Sequence, residues 1–324
     1  LAEAWLGRGA PALSGLVERV RRERTELSAL LARLGATPLD SQANFVLARF
    51  EDAALVRDGL AGLGIAVRIW PGREGLEDAL RITCPGDETA FARLCAALEA
   101  VLEPDALLLD MDGVLADVSS SFREAVRETC ARWGVSVSDE EIAAAKSRGG
   151  LNNDWDLTRH LLAERGVDRE RDEVIEAFEA IYQGSEDVPG LCETESPLAD
   201  ASTIRRLAKG RRTAIVTGRP RRDAEAFVER FGLGEAIDAI VCMEDAPNKP
   251  DPAPVLLALA RLGARRAWMV GDMPDDAAAA RAAGVVPIGV LAPGDETETM
   301  RDALARAGAA RVLTRITDLE EILR

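Results

Sequence analysis

The chain has 324 residues, of which 47% are hydrophobic, and a formal net charge of −16 at pH 7. This acidic excess argues against sequence-independent binding of nucleic acid and against docking on anionic membranes, because both require a basic surface. No apolar run approaches the ~20 residues that span a bilayer, and the N-terminus lacks the charged-then-apolar pattern of a signal peptide. The length predicts two domains, and we expect neither nucleic-acid nor membrane partners.

Cysteine, histidine and lysine usage narrows the chemistry further. The five cysteines are Cys84, Cys95, Cys130, Cys192 and Cys242. They form neither a CxxC pair nor a metal-binding spacing, which predicts reduced thiols and a cytoplasmic protein. The single histidine, His160, excludes chemistry that needs two histidines, and no nucleophile-elbow sequence accompanies it. Nearly all basic residues are arginine, which favours a chemical role for the lysines that remain, Lys146, Lys209 and Lys249.

Residues 1–103 predict a small α+β domain. A helical period runs from the N-terminus to about residue 34 and ends at Gly35 as a C-cap. The predicted strands are 44–50, 65–70 and 79–84, and the predicted helices are 53–63 and 87–102. Glu103-Pro104 closes the unit.

Three segments of this unit carry a resemblance. They are Ser41-Gln-Ala-Asn-Phe45, Gly64-Ile-Ala-Val-Arg-Ile-Trp-Pro-Gly72 and Ala79-Leu-Arg-Ile-Thr83. Together they resemble the C-terminal small domain of histidinol-phosphate aminotransferases, members of the fold-type I pyridoxal-phosphate family. The resemblance implies that Arg81 binds the anionic group of the aminotransferase substrate and that Asn44 lies close to it.

The same segment lacks what transamination requires. No lysine precedes Lys146, so residues 1–103 cannot form a Schiff base alone. Because Leu1 is not methionine and lies within a helical pattern, we expect a fragment of a longer fusion in which pyridoxal phosphate binds only the longer parent chain. The unit is interpreted as an orphaned aminotransferase domain. The alternative is a non-catalytic dimerisation or docking module, which predicts a homodimer.

Residues 105–324 predict an α/β domain with a doubly wound, Rossmann-like parallel sheet, because strand patterns recur with helices between them. The predicted strands are 105–110, 213–216, 239–242, 267–270, 285–290 and 311–314. An all-helical insertion, residues 118–197, follows the first strand and leaves a core of residues 105–117 and 198–324. Its predicted helices are 119–133, 139–147, 156–165 and 169–182. Pro287 predicts that the fifth strand lies at an edge of the sheet.

Polar motifs follow the strands of this domain. Asp110 and Asp112 come at the end of an apolar run and precede Gly113. The three later motifs are Thr217-Gly-Arg219, Asn248-Lys249-Pro250 and Gly271-Asp272-Met-Pro-Asp275-Asp276. Each alone is also a normal turn or helix cap. Because ligands bind at the carboxyl ends of parallel strands, motifs at or beside several strand ends predict one site for a divalent cation and a phosphate.

The four motifs resemble those of the haloacid dehalogenase superfamily, with Asp275 replacing a frequent asparagine. The helical insertion is similar to the C1 cap of its subfamily I, which includes phosphoglycolate phosphatases. Since a halide leaves without a proton and dehalogenases of this superfamily lack an acid at the position of Asp112, the motif favours a phosphatase.

The resemblance also implies a role for each motif residue. Asp110 would be the nucleophile that forms an aspartyl-phosphate, and Asp112 the general acid and base. Mg²⁺ would lie between Asp110, the backbone carbonyl of Asp112 and Asp272. Phosphate would be held by Thr217, Gly218 and Lys249, with Asp276 orienting the lysine and Asp275 in support.

The insertion is expected to select the substrate. Its least helix-like stretch, residues 147–155, suits hydrogen bonding to a polar substrate. The candidate substrate residues are Lys146, Arg148, Asn152, Asn153 and Trp155. The alternative is a helix connection in which Asn153 or Asp154 caps the next helix, and we expect a structural or surface role for His160.

The sequence therefore predicts a Mg²⁺-dependent phosphomonoester hydrolase that acts on a small phosphorylated metabolite. Histidinol phosphate, which would place the enzyme in histidine biosynthesis, and a phosphoglycolate-like ester remain open as substrates. A phosphomutase is the alternative within the superfamily, because the same Asp-x-Asp pair can return the phosphoryl group to a sugar.

Overall fold

The computed structural model describes residues 2–146, 151, 153–294 and 297–323, with side chains from residue 14 onward. Contacts between Cα atoms divide the chain into two compact units, Leu1–Pro104 and Asp105–Arg324. Among the residues that the structure describes, every helix is too short or too polar to span a lipid bilayer.

The first unit is a three-stranded antiparallel sheet with three helices. Its elements are α1 (Ala2–Arg33), β1 (Thr37–Pro38), β2 (Phe45–Arg49), α2 (Ala53–Gly62), β3 (Ala79–Thr83) and α3 (Glu88–Leu102). The strand order is β1-β2-β3. Both short helices begin at an aspartate whose side chain accepts a backbone N–H of the first turn, Asp52 from Leu55 and Asp87 from Ala90.

One predicted strand of this unit is wrong. Residues 65–70 form no strand, and their pairing is a single bridge between Arg68 and Arg81. The alternating side chains reflect a half-buried loop that crosses β3 at one position before Pro71-Gly72 turns the chain away.

The strands of the second unit are β4 (Ala106–Leu109), β5 (Ala116–Asp117), β6 (Ser196–Pro197), β7 (Arg212–Val216), β8 (Ala239–Val241), β9 (Ala267–Gly271), β10 (Val286–Val290) and β11 (Arg311–Leu313). Six of them form a parallel sheet of order β11-β10-β9-β4-β7-β8. β5 and β6 form a separate antiparallel pair. Buried apolar residues cover the sheet, as parallel strands require. The predicted α/β fold is therefore confirmed.

Helices fill the intervals between the strands. The insertion contains α4 (Phe122–Arg132), α5 (Asp139–Lys146), α6 (Asp154–Glu164) and α7 (Arg171–Tyr182). The sheet is flanked by α8 (Ala201–Leu207), α9 (Arg221–Arg230), α10 (Ala253–Leu262), α11 (Pro274–Ala282), α12 (Glu298–Ala307) and α13 (Leu319–Ile322). The insertion has its own core, in which Phe122, Phe178 and Tyr182 stack. The sole histidine, His160, lies on α6, and its Nε2 atom is 3.4 Å from Glu164 Oε1.

The prediction that Pro287 marks an edge strand is wrong. β10 pairs with β9 on one side and with β11 on the other, so it is an interior strand. The carbonyl oxygen of Pro287 accepts from Ala310 N, just before β11 begins. The nitrogen of Pro287 faces the same side as its carbonyl oxygen, but β11 begins only beyond the position opposite this nitrogen. The missing N–H therefore removes no hydrogen bond between β10 and β11.

Candidate active site

Three strand ends bring polar residues to one edge of the sheet. β4 pairs in parallel with β7 and with β9, so the carboxyl ends of these strands lie side by side. Asp110 follows β4, Thr217 follows β7 and Asp272 follows β9. All three side chains are buried.

A buried lysine joins two carboxylates at this edge. Lys249 Nζ lies 2.9 Å from Asp110 Oδ1 and 2.6 Å from Asp276 Oδ1, and it donates to the carbonyl oxygen of Val216. Burial opposes the charge of Lys249, but Asp110 and Asp276 raise its pKa overall. Burial raises the pKa of Asp110 to about 7, although Lys249 acts in the opposite direction.

Three carboxylates gather at this edge of the sheet. One oxygen of Asp110, one of Asp272 and one of Asp276 lie within 4.8 Å of one another. Asp276 is committed elsewhere, because Oδ1 faces Lys249 and Oδ2 accepts from Met273 N. Asp110 and Asp272 are the other two carboxylates of this group that could hold a cation.

Two glycines make this crowding of carboxylates sterically possible. Gly113 has a φ of +71°, and a Cβ there would lie 2.4 Å from Asp272 Oδ2. A Cβ on Gly271 would lie 2.3 Å from Asp276 Cβ. Carboxylate oxygens gathered at one place are the ligands that Mg²⁺ prefers, so the residues fit this ion. Asp275 is also buried, in the first turn of α11.

Asp112 belongs to a second ion-pair network that the sequence analysis missed. Arg219 Nε donates to Asp112 Oδ1 at 2.6 Å, and the same guanidinium donates twice to Glu195 at 2.9 and 3.1 Å. Burial raises the pKa of Glu195, while Arg219 opposes this shift. Arg219 stands in the Thr217-Gly-Arg219 motif, but Glu195 precedes it by 24 residues and no local pattern marks it.

A cavity opens beside Asp110 and Asp112. Its described lining includes Asn153, Trp155, Glu179, Gly218, Arg219 and Asp223. Asn153 Oδ1 caps α6 by accepting from the backbone N–H groups of Trp155 and Asp156, so the capping alternative holds while the residue still borders the cavity. A neighbouring cavity is lined by Thr217, Gly218, Asn248 and Lys249.

The remaining predicted residues of the insertion divide into two sets. Lys146 lies 3.2 Å from Asp154 and lines a third cavity together with Asp112 and Asp272. Arg148 and Asn152 lie outside the described residues. The second unit thus brings together the predicted core residues and part of the predicted substrate loop.

In the first unit, Arg81 lies on β3 with its guanidinium over the Phe45 ring at 5.2 Å. Its buried Nε has no hydrogen-bond partner among the described residues. Asn44 is exposed, and its carbonyl oxygen accepts from Cys84 N. Their assignment to an aminotransferase site stays a prediction.

Comparison with known proteins places this site in a family. The model of a hydrolase family, the haloacid dehalogenase-like hydrolases, matches residues 104–284. The chain is 31% identical over 229 residues to a phosphoglycolate phosphatase from Rhodospirillum rubrum, covering 68% of this chain and 91% of that protein. It is 41% identical over 225 residues to an imidazoleglycerol-phosphate dehydratase from Phytophthora nicotianae, covering 64% of this chain. The match spans only 50% of that relative's own length.

A solved structure supports the same placement. A HAD family hydrolase from Deinococcus radiodurans R1, crystallised with bound phosphate and sodium, superposes with a TM-score of 0.52 at 26% identity. The superposition covers 66% of this chain and 93% of that protein. The family model spans more than half of the chain, and the strand-end motifs of the chain converge on one buried site. The chain therefore belongs to the haloacid dehalogenase-like hydrolases.

Proposed function

We propose that the chain is a Mg²⁺-dependent phosphomonoester hydrolase in which Asp110 is the nucleophile. The observation that carries the proposal is the pair of aspartates after β4, each of which is held by a different basic side chain. Asp110 contacts Lys249, whereas Asp112 contacts Arg219. One carboxylate is thus placed beside a cation that can also bind phosphate, and the other is set apart for proton transfer.

The first step transfers the phosphoryl group to the protein. An Asp110 oxygen attacks phosphorus, a P–O bond to Asp110 forms, and the P–O bond to the alcohol breaks. Asp112 in its protonated form gives its proton to the departing alkoxide, so a neutral alcohol leaves.

The second step returns the protein to its starting state. Asp112, now a carboxylate, takes a proton from water while the water oxygen attacks phosphorus. The bond between phosphorus and Asp110 breaks, and inorganic phosphate leaves. When bound, Mg²⁺ supplies charge neutralisation for the phosphate and for the carboxylates of Asp110 and Asp272, with the Asp112 carbonyl as the third proposed protein ligand.

Three residues at this edge of the sheet would bind phosphate. Thr217 Oγ1 accepts from Arg219 N at 3.1 Å, so its hydroxyl proton is available for a phosphate oxygen. The backbone N–H of Gly218 lies beside it, and Lys249 offers the remaining positive charge. Asp276 holds Lys249 in place.

The charge of the cavity favours an alcohol that carries a positive charge. Asp110 pairs with Lys249, Asp112 with Arg219, and Asp154 with Lys146. Two further carboxylates, Glu179 and Asp223, line the same cavity.

Glu179 and Asp223 have only weak countercharge. Arg222 lies 3.0 Å from Asp223 and 4.0 Å from Glu179, but its side chain is 71% exposed and therefore screened by water. Gln183 donates to both acids, and the Trp155 indole donates to Glu179 at 3.2 Å. Carboxylates beside an aromatic ring attract an ammonium or imidazolium group. Histidinol phosphate has such groups, and histidine biosynthesis is the proposed context, whereas phosphoglycolate would add a second anion to this acidic wall.

The test is phosphate release with p-nitrophenyl phosphate, with and without Mg²⁺. We expect turnover that requires the metal and falls by at least about 10³-fold in Asp110→Asn, because the amide is not a nucleophile. Asp302→Asn is the matched control, since this aspartate lies on α12 with a 66% exposed side chain. Turnover that survives in Asp110→Asn would refute the proposed nucleophile.

For residues 1–103 we propose an aminotransferase-type small domain that binds pyridoxal phosphate only in a longer parent chain. The α+β unit and the unpartnered Nε of Arg81 support this. A protein in which an aminotransferase large domain precedes these residues should show the visible absorbance of bound pyridoxal phosphate, and its absence would contradict the proposal.

A further inference from the structure

The strongest unassigned feature is the ion-pair network around Arg219. Its side chain is 2% exposed, and its guanidinium carbon packs over two aromatic rings, with ring centroids at 5.0 Å for Phe122 and 5.5 Å for Phe227. Its backbone is held as well, since its N–H donates to Thr217 Oγ1 and its carbonyl oxygen accepts from Met243 N. The side chain is therefore held by two aromatic contacts and by hydrogen bonds of its own backbone.

The guanidinium contacts Asp112 through a single oxygen. Nε donates to Oδ1 at 2.6 Å and Nη2 lies 2.5 Å from the same atom. The carboxylate is thus held by one oxygen, and Asp112 lines the cavity that also contains Asp110. Short charge-assisted hydrogen bonds to a buried arginine restrict the rotation of such a carboxylate.

Glu195 holds the opposite side of the same guanidinium. Besides its two hydrogen bonds with Arg219, Glu195 Oε1 accepts from Tyr182 Oη at 2.8 Å and from Ser121 Oγ at 3.0 Å. Ser121 immediately precedes α4, and Tyr182 ends α7. The network therefore reaches both ends of the helical insertion.

We propose that Arg219 is the positioning residue of Asp112 and that Glu195 fixes Arg219 through contacts with the ends of the insertion. This inference rests on the proposed phosphatase function. An acid held in one orientation delivers its proton to the leaving oxygen without first having to be ordered. Arg219 contributes no proton and no bond to phosphorus.

The dependence of the first chemical step on the leaving group tests the role. An alkyl alkoxide needs a proton to leave, whereas p-nitrophenolate leaves without one. Phosphoenzyme formation is measured by rapid quench in a single turnover, so that the later hydrolysis does not limit the rate. The two esters are p-nitrophenyl phosphate and n-propyl phosphate.

In Arg219→Gln we expect phosphoenzyme formation from n-propyl phosphate to slow about 100-fold, and that from p-nitrophenyl phosphate to slow less than about threefold. Arg205→Gln, on the surface of α8 with a 49% exposed side chain, should change neither rate. An equal loss on both esters would overturn the inference, because a merely structural role slows every substrate.

A second variant keeps the test decisive if Arg219→Gln does not fold. Glu195→Gln retains an oxygen that accepts from Tyr182 and Ser121 but removes the charge that holds Arg219. It should slow the alkyl ester about tenfold and leave the aryl ester within twofold. Equal effects on both esters would again overturn the inference. Failure of the unsubstituted protein to react with either ester would instead refute the proposed phosphatase function.

Discussion

Two groups of carboxylates border the candidate site, and they are built differently. Asp110, Asp272 and Asp276 are buried at the ends of strands or on the first turn of the following helix. Glu179 and Asp223 lie on helices α7 and α9, are only partly buried, and share an amide and an exposed arginine. The first group has its geometry set by the parallel sheet, whereas the second depends on how helix surfaces meet. A sheet edge can thus preserve the chemistry while helix surfaces change the substrate.

The two groups should respond differently to substitution. Substitutions in the strand-end group should change the chemical step for every substrate. Substitutions in the helix-borne group should change the preference among substrates and leave the chemical step intact.

The largest effect is expected from Lys249→Met. This change leaves Asp110 and Asp276 together in a buried space without their shared cation. We expect kcat to fall about 10³-fold on all phosphomonoesters, because a preorganised positive charge at the phosphate is lost. The free energy of unfolding in EDTA should fall by about 3 kcal/mol, as is typical when one partner of a buried ion pair is removed.

Lys209→Met is the control, since this exposed lysine follows α8 outside the site. Steady-state kinetics and urea denaturation give the two measurements. A Lys249 variant that raises KM and leaves kcat unchanged would contradict a role of the strand-end group in the chemical step, because the group would then act only in substrate binding.

A smaller effect is expected from Gly113→Ala. A Cβ at this position would meet Asp272 Oδ2 at 2.4 Å and Ala292 Cβ at 2.8 Å. Gly210 has a similar φ of +77° but no atom within 4 Å of its Cβ position. Both alanine variants should lose about 1 kcal/mol of stability from the left-handed backbone. Only Gly113→Ala should also weaken the apparent Mg²⁺ affinity, about tenfold, because Asp272 must move.

The readout is the Mg²⁺ concentration that gives half-maximal turnover. If Gly210→Ala shifted this concentration as much as Gly113→Ala does, the effect would come from backbone strain rather than from crowding of Asp272.

The two carboxylate groups also differ in how far the sequence predicts them. Asp110, Thr217 and Asp272 each follow an apolar run directly, so strand pattern and motif together locate them at one sheet edge. Glu179 and Asp223 have no such signal, because α7 and α9 are rich in acidic residues and the pattern does not show which side faces a cavity.

Two further features needed the three-dimensional structure. The pairing of Arg219 with Glu195 depends on where the chain returns from the insertion. The interior position of β10 depends on where β11 begins relative to Pro287. Both are long-range facts that no local spacing encodes, whereas the α/β class and the strand order along the chain follow from local periodicity.

The smallest effect is expected from Glu179→Gln, which tests whether the helix-borne carboxylates select the substrate. The glutamine keeps the shape of the side chain and can still accept from the Trp155 indole, so the cavity wall is preserved while one negative charge is removed. Because Glu179 retains 27% exposure, its attraction for a cation is worth less than about 1 kcal/mol. We therefore expect the ratio of kcat/KM for O-phosphoethanolamine to that for n-propyl phosphate to fall about threefold to fivefold, with kcat for the neutral ester unchanged. Glu176→Gln, on the exposed side of the same helix, should leave the ratio unaltered.

Phosphoglycolate provides the opposing measurement, since an anionic ester should gain from the lost charge. Phosphoglycolate could instead be the best substrate of the unsubstituted protein and lose activity in Glu179→Gln. The helix-borne carboxylates would then not select a cationic alcohol. Arg123 and Lys146 in the third cavity would become the residues that recognise the substrate.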